Sequence, residues 1–352
     1  MRRRGFLGSL LAGALAPRLS WADVGSPAYL AAAQRPDGLH ELHGISLSGE
    51  SLFALPLPAR GHAAAAHPTR PVAVGFARRP GHFALVIDCA QGREIARLTP
   101  PEGRQFNGHG AFSGDGRVLY TSEQLAETSE GRIGLWETAG WQRIAEIATH
   151  GIGPHDLRRL PLSEDLLVAN GGIATDPTDR TKLNIASMRP NLARVTPEGA
   201  LISLAELPET LAQNSLRHLA LLPDGRAACA MQWEGDAAEA PPLLALWDAG
   251  QLTLCPVPEA ESFVMQNYAG SIAASAGRIA ITSPKGGAVQ IFAEDGRFLQ
   301  TLRRADACGV AAAPGGFTLS DGNGVLSHLG ESLSPLRQAS LKWDNHLVAV
   351  GL

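Results

Sequence analysis

Six residues of the chain share one place in a repeat and one chemistry. His62, His109, His155, His218, Cys308 and His346 each stand at or near the start of a short run of small or apolar residues. Ser271 holds the same place in a seventh run. Neutral imidazole nitrogen and thiolate sulfur are borderline-to-soft donors that suit copper, iron or zinc. Five of the 11 histidines in 352 residues fall at this one position, which is more than scatter would place there. Brought together, such a set would hold a transition metal (Fe, Cu or Zn) or a haem or other metal complex. A structural reading is equally open, in which each Gly-His pair only hydrogen-bonds the neighbouring strand.

A second set of polar residues follows the first. The next apolar run in each unit ends in Arg78-Arg79, Ser122-Glu123, Asn170-Gly171-Gly172, Gln232-Trp233-Glu234, Pro284-Lys285 or Asp321-Gly322-Asn323. Arg217, Asn267, Asp344 and Asn345 flank the first set. Arg78, Asn170, Gln232, Lys285 and Asn345 are the candidates for holding a ligand. Glu123 or Glu234 would act as a general base, with Arg217 stabilising an oxyanion. No nucleophile elbow, phosphate loop or dinucleotide fingerprint is present. Asp176-Pro177-Thr178-Asp179 lacks a calcium site's full set of ligands and reads as a turn. The four cysteines have no C-x-x-C spacing, which disfavours a zinc ribbon. Cys89, Cys229 and Cys255 fall inside expected strands and read as reduced core residues.

The elements that must position these residues are short strands in a repeat. Units begin near residues 61, 108, 154, 217, 270 and 308. In each, a small-residue run ends in a turn signal such as Gly114-Asp115-Gly116 or Pro223-Asp224-Gly225, and a second strand follows. Third and fourth strands are legible at Phe83–Asp88 with Glu94–Leu98, Ile133–Glu137 with Arg143–Ile147, and Val289–Ala293 with Phe298–Leu302. Long helical periodicity is absent. Four strands in about 45 residues is the size of a β-propeller blade. Residues 28–57 supply three further strands and the segment 346–351 a fourth. The expected fold is therefore all-β: a seven-bladed β-propeller whose last blade is closed by N- and C-terminal strands, leaving no free edge.

In such a fold the first strand of each blade lines the central channel, and the second returns to the same mouth. Both polar sets then meet on one face. Residues 171–191 form an irregular insertion longer than an ordinary hairpin loop, expected as a lid with Lys182 and Arg189 near the opening. Gln124–Glu130 reads as a shorter insertion on the same side.

The N-terminus is an address. Residues 1–22 carry Arg2, Arg3 and Arg4, an apolar stretch from Phe6 to Ala16, and Ser20-Trp21-Ala22 before a cleavage point. Arg3-Arg4-Gly5-Phe6-Leu7 fits the twin-arginine (Tat) export pattern. The expected domain organisation is a Tat signal over 1–22 and one propeller over 23–352, delivered to the periplasm. Losing the leader's four arginines takes the net charge from −4 to −8. With no basic block, nucleic-acid binding is not expected. No later apolar run reaches the roughly 20 residues of a membrane span.

Several of these motifs occur together in one known family. Gly61-His62, Arg78-Arg79-Pro80-Gly81, Gly108-His109-Gly110, Gly153-Pro154-His155, Asn170-Gly171-Gly172, Lys182-Leu183-Asn184, Met188-Arg189-Pro190, Arg217-His218-Leu219 and Trp343-Asp344-Asn345-His346 resemble the Tat-exported family called domain of unknown function 1513. The resemblance implies a periplasmic propeller. It also implies a genomic neighbourhood of imelysin-type iron-regulated proteins, hence a role in handling iron or another metal. Its partners would be periplasmic iron-uptake or redox proteins.

The first functional expectation is a periplasmic binding or accessory protein whose His/Cys ring takes a metal or metal complex. The alternatives are a propeller enzyme using the same channel, either a lactonase-like metal-dependent hydrolase or a redox enzyme, and a metal-free propeller for protein docking.

Overall fold

The computed structural model describes residues 19–350. Most of the expected export signal, including Arg3-Arg4, lies outside the described residues. Seven antiparallel sheets follow one another along the chain. We number blades 1 to 6 by residues 61–98, 104–152, 154–206, 214–254, 271–303 and 307–338. Each has four strands, the first innermost. The seventh, closing blade takes Tyr29–Gln34, His40–Ile45 and Ser51–Leu57 from the N-terminal side. Its innermost position is filled from the C-terminal side, as expected. That position is not one continuous strand. Lys342–Trp343 and Val348–Ala349 pair separately with Tyr29–Gln34, and the break between them carries His346.

Ring closure is visible in the core. Each of the seven interfaces between neighbouring blades has its own apolar cluster. The closing blade meets blade 1 through Leu30, Leu42, Leu57 and Leu85, and meets blade 6 through Tyr29, Ile45 and Leu326. Outer strands such as Phe298–Arg303 are largely exposed. Inner strands such as Gly61–Ala66 (GHAAAA) and Ala307–Ala313 (ACGVAAA) are built from small residues, as the crowded axis requires. Trp21 and Val24 pack on the cluster between the closing blade and blade 1, with Trp21 Nε1 donating to the His67 carbonyl at 2.8 Å.

One feature of the inner strands determines where side chains point. In blades 1, 2, 3, 4 and 6 the pairing with the second strand slips at the ring position. The slips lie between Gly61 and Ala64, Phe106 and Gly110, Pro154 and Asp156, Leu216 and His218, and Ala307 and Val310. A bulge breaks the in-out alternation of a strand and re-aims its side chains. The inner strand of blade 5, Ser271–Ser275, pairs without any slip.

The two insertions differ from expectation in different ways. Residues 124–130 form no irregular loop: Val118–Leu125 and Glu130–Glu137 extend into a hairpin with a tight turn. Residues 171–190 do leave the sheet, but they are ordered internally. Thr175 bridges Lys182, and Asn184 Oδ1 accepts from the Ala174 amide at 2.7 Å. Asp176 Oδ1 caps a turn by accepting from the amides of Thr178 (2.8 Å) and Asp179 (3.3 Å), so the expected turn is found. Gln105 Nε2 of blade 2 donates to the Pro177 carbonyl at 2.8 Å and anchors the tip. Cys89, Cys229 and Cys255 are buried and free, as read from the sequence.

Candidate functional site

The bulges of blades 1 to 4 and the break at His346 bring five imidazoles together on the axis. Ring centroids lie 4.6 Å apart for His62–His346, 4.9 Å for His62–His109, 4.5 Å for His155–His218 and 4.7 Å for His218–His346. His109 also stands 5.0 Å from His155 and 4.9 Å from His346. His109, His155, His218 and His346 are buried, while His62 is partly exposed. Gly108 explains one Gly-His pair. It sits at φ +93°, and a Cβ there would lie 2.6 Å from the His62 ring, so only glycine allows the two blades to approach.

Six ring nitrogens in this cluster are buried with no hydrogen-bond partner: His62 Nδ1, His109 Nε2, both of His155, His218 Nδ1 and His346 Nε2. The purely structural reading needs these atoms bonded to neighbouring strands. They are not, and unpaired buried polar atoms are costly. Two sets of three, His62/His109/His155 and His109/His218/His346, each offer one ring nitrogen per residue within 4.8 Å of the others. Ligands at the usual 2.0–2.1 Å from an ion are at most about 4.2 Å apart, so small ring rotations would close either set. A space of about 40 Å³ beside His62, His155 and His218 has room for an ion with a water or two.

The rings are held neutral, as ligation requires, although Arg78, Arg79, Arg180 and Arg217 line the same space. Burial first, then neighbouring His346, His109 and His218, holds His62 well below the ordinary histidine range. Burial also dominates for His155, His218 and His346, which are lowered in the same way. These rings are therefore neutral donors at pH 7. One carboxylate enters the cluster. Asp156 Oδ1 stands 3.3 Å from His109 Nδ1, leaving Nε2 of that ring facing the other histidines. Asp156 is itself held by the Leu219 amide at 3.0 Å and by Arg158 at 3.2 Å. Although burial opposes it, Arg158 and His109 keep Asp156 ionised far below the usual carboxylate range. A carboxylate behind a histidine fixes its tautomer and raises its basicity toward a metal.

Above the histidines lies a wider recess of about 310 Å³. Arg78, Arg217, Gln232, Glu234 and Lys285, all singled out in the sequence, line it. Asn345 lines the inner chamber beneath. Lys182 reaches over the mouth from the insertion and pairs with Glu234. Lys285 Nζ sits 4.6 Å above the Tyr268 ring. Burial, then the charges of Arg217, Arg180 and Arg78, lowers Arg79 well below the ordinary arginine range.

Four residues singled out in the sequence lie elsewhere. Cys308 turns to Asp306, with Sγ 3.5 Å from Oδ1, and faces a separate recess beside Arg60 and Trp343. Burial, then Asp306, pushes its thiol upward, so it stays protonated. The axial place in blade 6 belongs to the next residue, Gly309, where a Cβ would lie 2.7 Å from the Leu347 amide nitrogen. Glu123 is buried inside blade 2, accepting from Thr121 Oγ1 at 2.5 Å and Arg143 Nη1 at 2.8 Å. Asn170 spends its amide on the Thr149 carbonyl and Asn191, each at 2.8 Å. Arg189 points away from the mouth to Glu209.

Sequence reasoning passed over Asp156, Arg180 and Tyr268. Asp156 directly follows His155, and that adjacency was the available signal. Arg180 and Tyr268 lie in irregular segments that carry no periodic signal.

A family profile described as "Protein of unknown function (DUF1513)" matches residues 55–350. No curated protein matches the chain. Among solved structures, the chain is similar to one titled Kuenenia stuttgartiensis Hydrazine Synthase, at 14% identity and a TM-score of 0.60. The alignment covers 95% of this chain and 100% of that one. At that identity the likeness concerns the fold alone.

Proposed function

The chain belongs to the DUF1513 family, and we propose that it is an exported metal-binding protein whose axial histidines hold one transition-metal ion. The observation that carries this reading is the set of six buried ring nitrogens without partners in a five-histidine cluster. An all-imidazole donor set suits zinc, copper, iron or nickel more than calcium or magnesium. His109, backed by Asp156 and common to both triplets, is the central ligand. His62 is the ring nearest the opening and forms the entry side. Iron handling, with uptake or redox proteins as partners, is the biological setting that the family resemblance adds. Delivery to the periplasm through the twin-arginine route rests on Arg3-Arg4-Gly5-Phe6-Leu7.

The test is direct. Metal-free protein without a His tag is dialysed separately against Zn(II), Cu(II) and anaerobic Fe(II), and bound metal is measured by elemental analysis. About one ion per chain is expected for at least one of them, as for any single closed site. The uptake is lost in His62→Ala/His109→Ala/His155→Ala, with circular dichroism as the check on folding. Folded wild-type protein that takes up none of the three metals would contradict the reading.

The enzyme alternative loses one of its two bases, because Glu123 is enclosed in blade 2 with Arg143. Glu234 does face the recess, but it is engaged by Lys182. No observation raises turnover above binding.

A further inference from the structure

The recess above the histidines has a charge imbalance found nowhere else on the chain's described ion-pair map. Arg78, Arg79, Arg180 and Arg217 all line it. None of their side chains has a hydrogen-bond or ion-pair acceptor among the described residues. Arg79 Nη1, Arg180 Nε and Arg217 Nε are buried with no partner. Arg217 is only 7% exposed. By contrast, thirteen other arginines pair with a carboxylate. The chain as a whole is acidic, with a net charge of −4, so there was no shortage of acids to place here. The one carboxylate lining the recess, Glu234, is taken by Lys182.

Four guanidinium groups held together without an ion-pair partner of their own repel one another, and a buried unpaired charge is costly. Such an arrangement persists where an anion completes it. Guanidinium groups match carboxylate and phosphate oxygens in paired, charge-assisted hydrogen bonds. The recess volume of about 310 Å³ lies at the lower end for small-molecule sites, which fits a compact ligand and excludes a nucleic acid strand. One monovalent ion would leave most of these donors unsatisfied.

We propose that this recess is a binding site for a small ligand carrying two or more oxyanion groups, held by Arg79, Arg180 and Arg217 with Arg78 and Gln232. Arg180 comes from the ordered insertion of blade 3, so the insertion contributes a ligand-binding side chain. The site uses different side chains from the histidine cluster and needs no metal. It stands or falls separately from the metal reading. Where both hold, the anion lies between the metal and solvent and the two would bind as one complex.

The experiment is calorimetric titration of metal-free protein, in buffer without phosphate, with two probes: tricarballylate and pyrophosphate. Saturable binding of one probe per chain is expected. A preference for tricarballylate identifies polycarboxylates, and the reverse preference identifies phosphates. Arg180→Gln, on the insertion, and Arg79→Gln each weaken binding about tenfold or more. Arg189→Gln, which faces away toward Glu209, leaves it unchanged. Metal uptake by Arg180→Gln, measured alongside, separates a failure here from a failure of the histidine site. No binding of either probe at several millimolar would overturn the proposal. So would binding that survives both substitutions in folded protein.

Discussion

Blades 3 and 5 place equivalent inner strands at the same axis, yet only one of them adds to the histidine cluster. Pro154–Arg159 slips at its ring position, so His155 joins the cluster while Asp156, directly after it, backs His109. Ser271–Ser275 pairs regularly, and Ser271 Oγ only accepts from the Val310 amide at 3.4 Å. Blade 4 repeats the lesson: its slip puts Arg217 in the recess and His218 in the cluster, two consecutive residues facing one site. An unbulged strand alternates its faces and presents only one of two neighbours. Blades 1 to 4 and the chain end thus supply the five axial histidines. Blades 5 and 6 add none, although Lys285 of blade 5 reaches the recess.

The largest expected difference between the two sides is a response to acid. Burial keeps His62, His155, His218 and His346 well below the unfolded value near 6.5. Above that value both states are neutral and the full stability is present. As pH falls below it, the unfolded chain binds protons that the folded chain does not. Each such histidine then costs about 1.4 kcal/mol per pH unit until its folded value is reached. Metal-free protein should lose stability steeply between pH 6.5 and 5 in chemical denaturation. Replacing His155 and His218 by Gln should flatten that slope. An unchanged slope would break the comparison.

Within the active side, ligands should rank by how many triplets they serve. His109→Ala removes a member of both sets and should weaken metal binding by about a hundredfold or more. His62→Ala spares the second triplet and should cost about tenfold. Competition titration against a chelator measures both, and equal losses would remove His109 from its central place. Asp156→Asn keeps size but removes the charge behind His109. Loss of such an outer partner costs about 10- to 100-fold in affinity. An effect below about threefold would make Asp156 a purely structural residue.

The smallest expected effect sharpens the comparison from the other side. Cys308→Ser and Ser271→Ala alter the two blades that add no histidine to the cluster and should leave metal affinity within about twofold. A large loss from Cys308→Ser would move the thiol into the coordination sphere.

Much of this was legible in the sequence, because a repeat shows its blade count through turn spacing and small-residue runs. The five histidines emerged from the same alignment. What the alignment did not reveal was local backbone geometry. Bulges shift which residue faces the axis, so spacing points to Cys308 where the axial residue is its neighbour Gly309. Glu123 differs for a related reason: its place near a strand end suggests the channel, whereas it is buried against Arg143 within its own blade. Arg180 needed the fold of an insertion whose order comes from Asx and amide contacts rather than apolar periodicity.

The central claim is that metal is held by imidazole nitrogen alone. X-ray absorption of zinc-loaded, untagged protein tests it most directly. The account predicts a first shell of nitrogen or oxygen at about 2.0–2.1 Å, with the outer-shell scattering of at least three imidazoles. A sulfur neighbour at about 2.3 Å, or a shell without imidazole scattering, would contradict it.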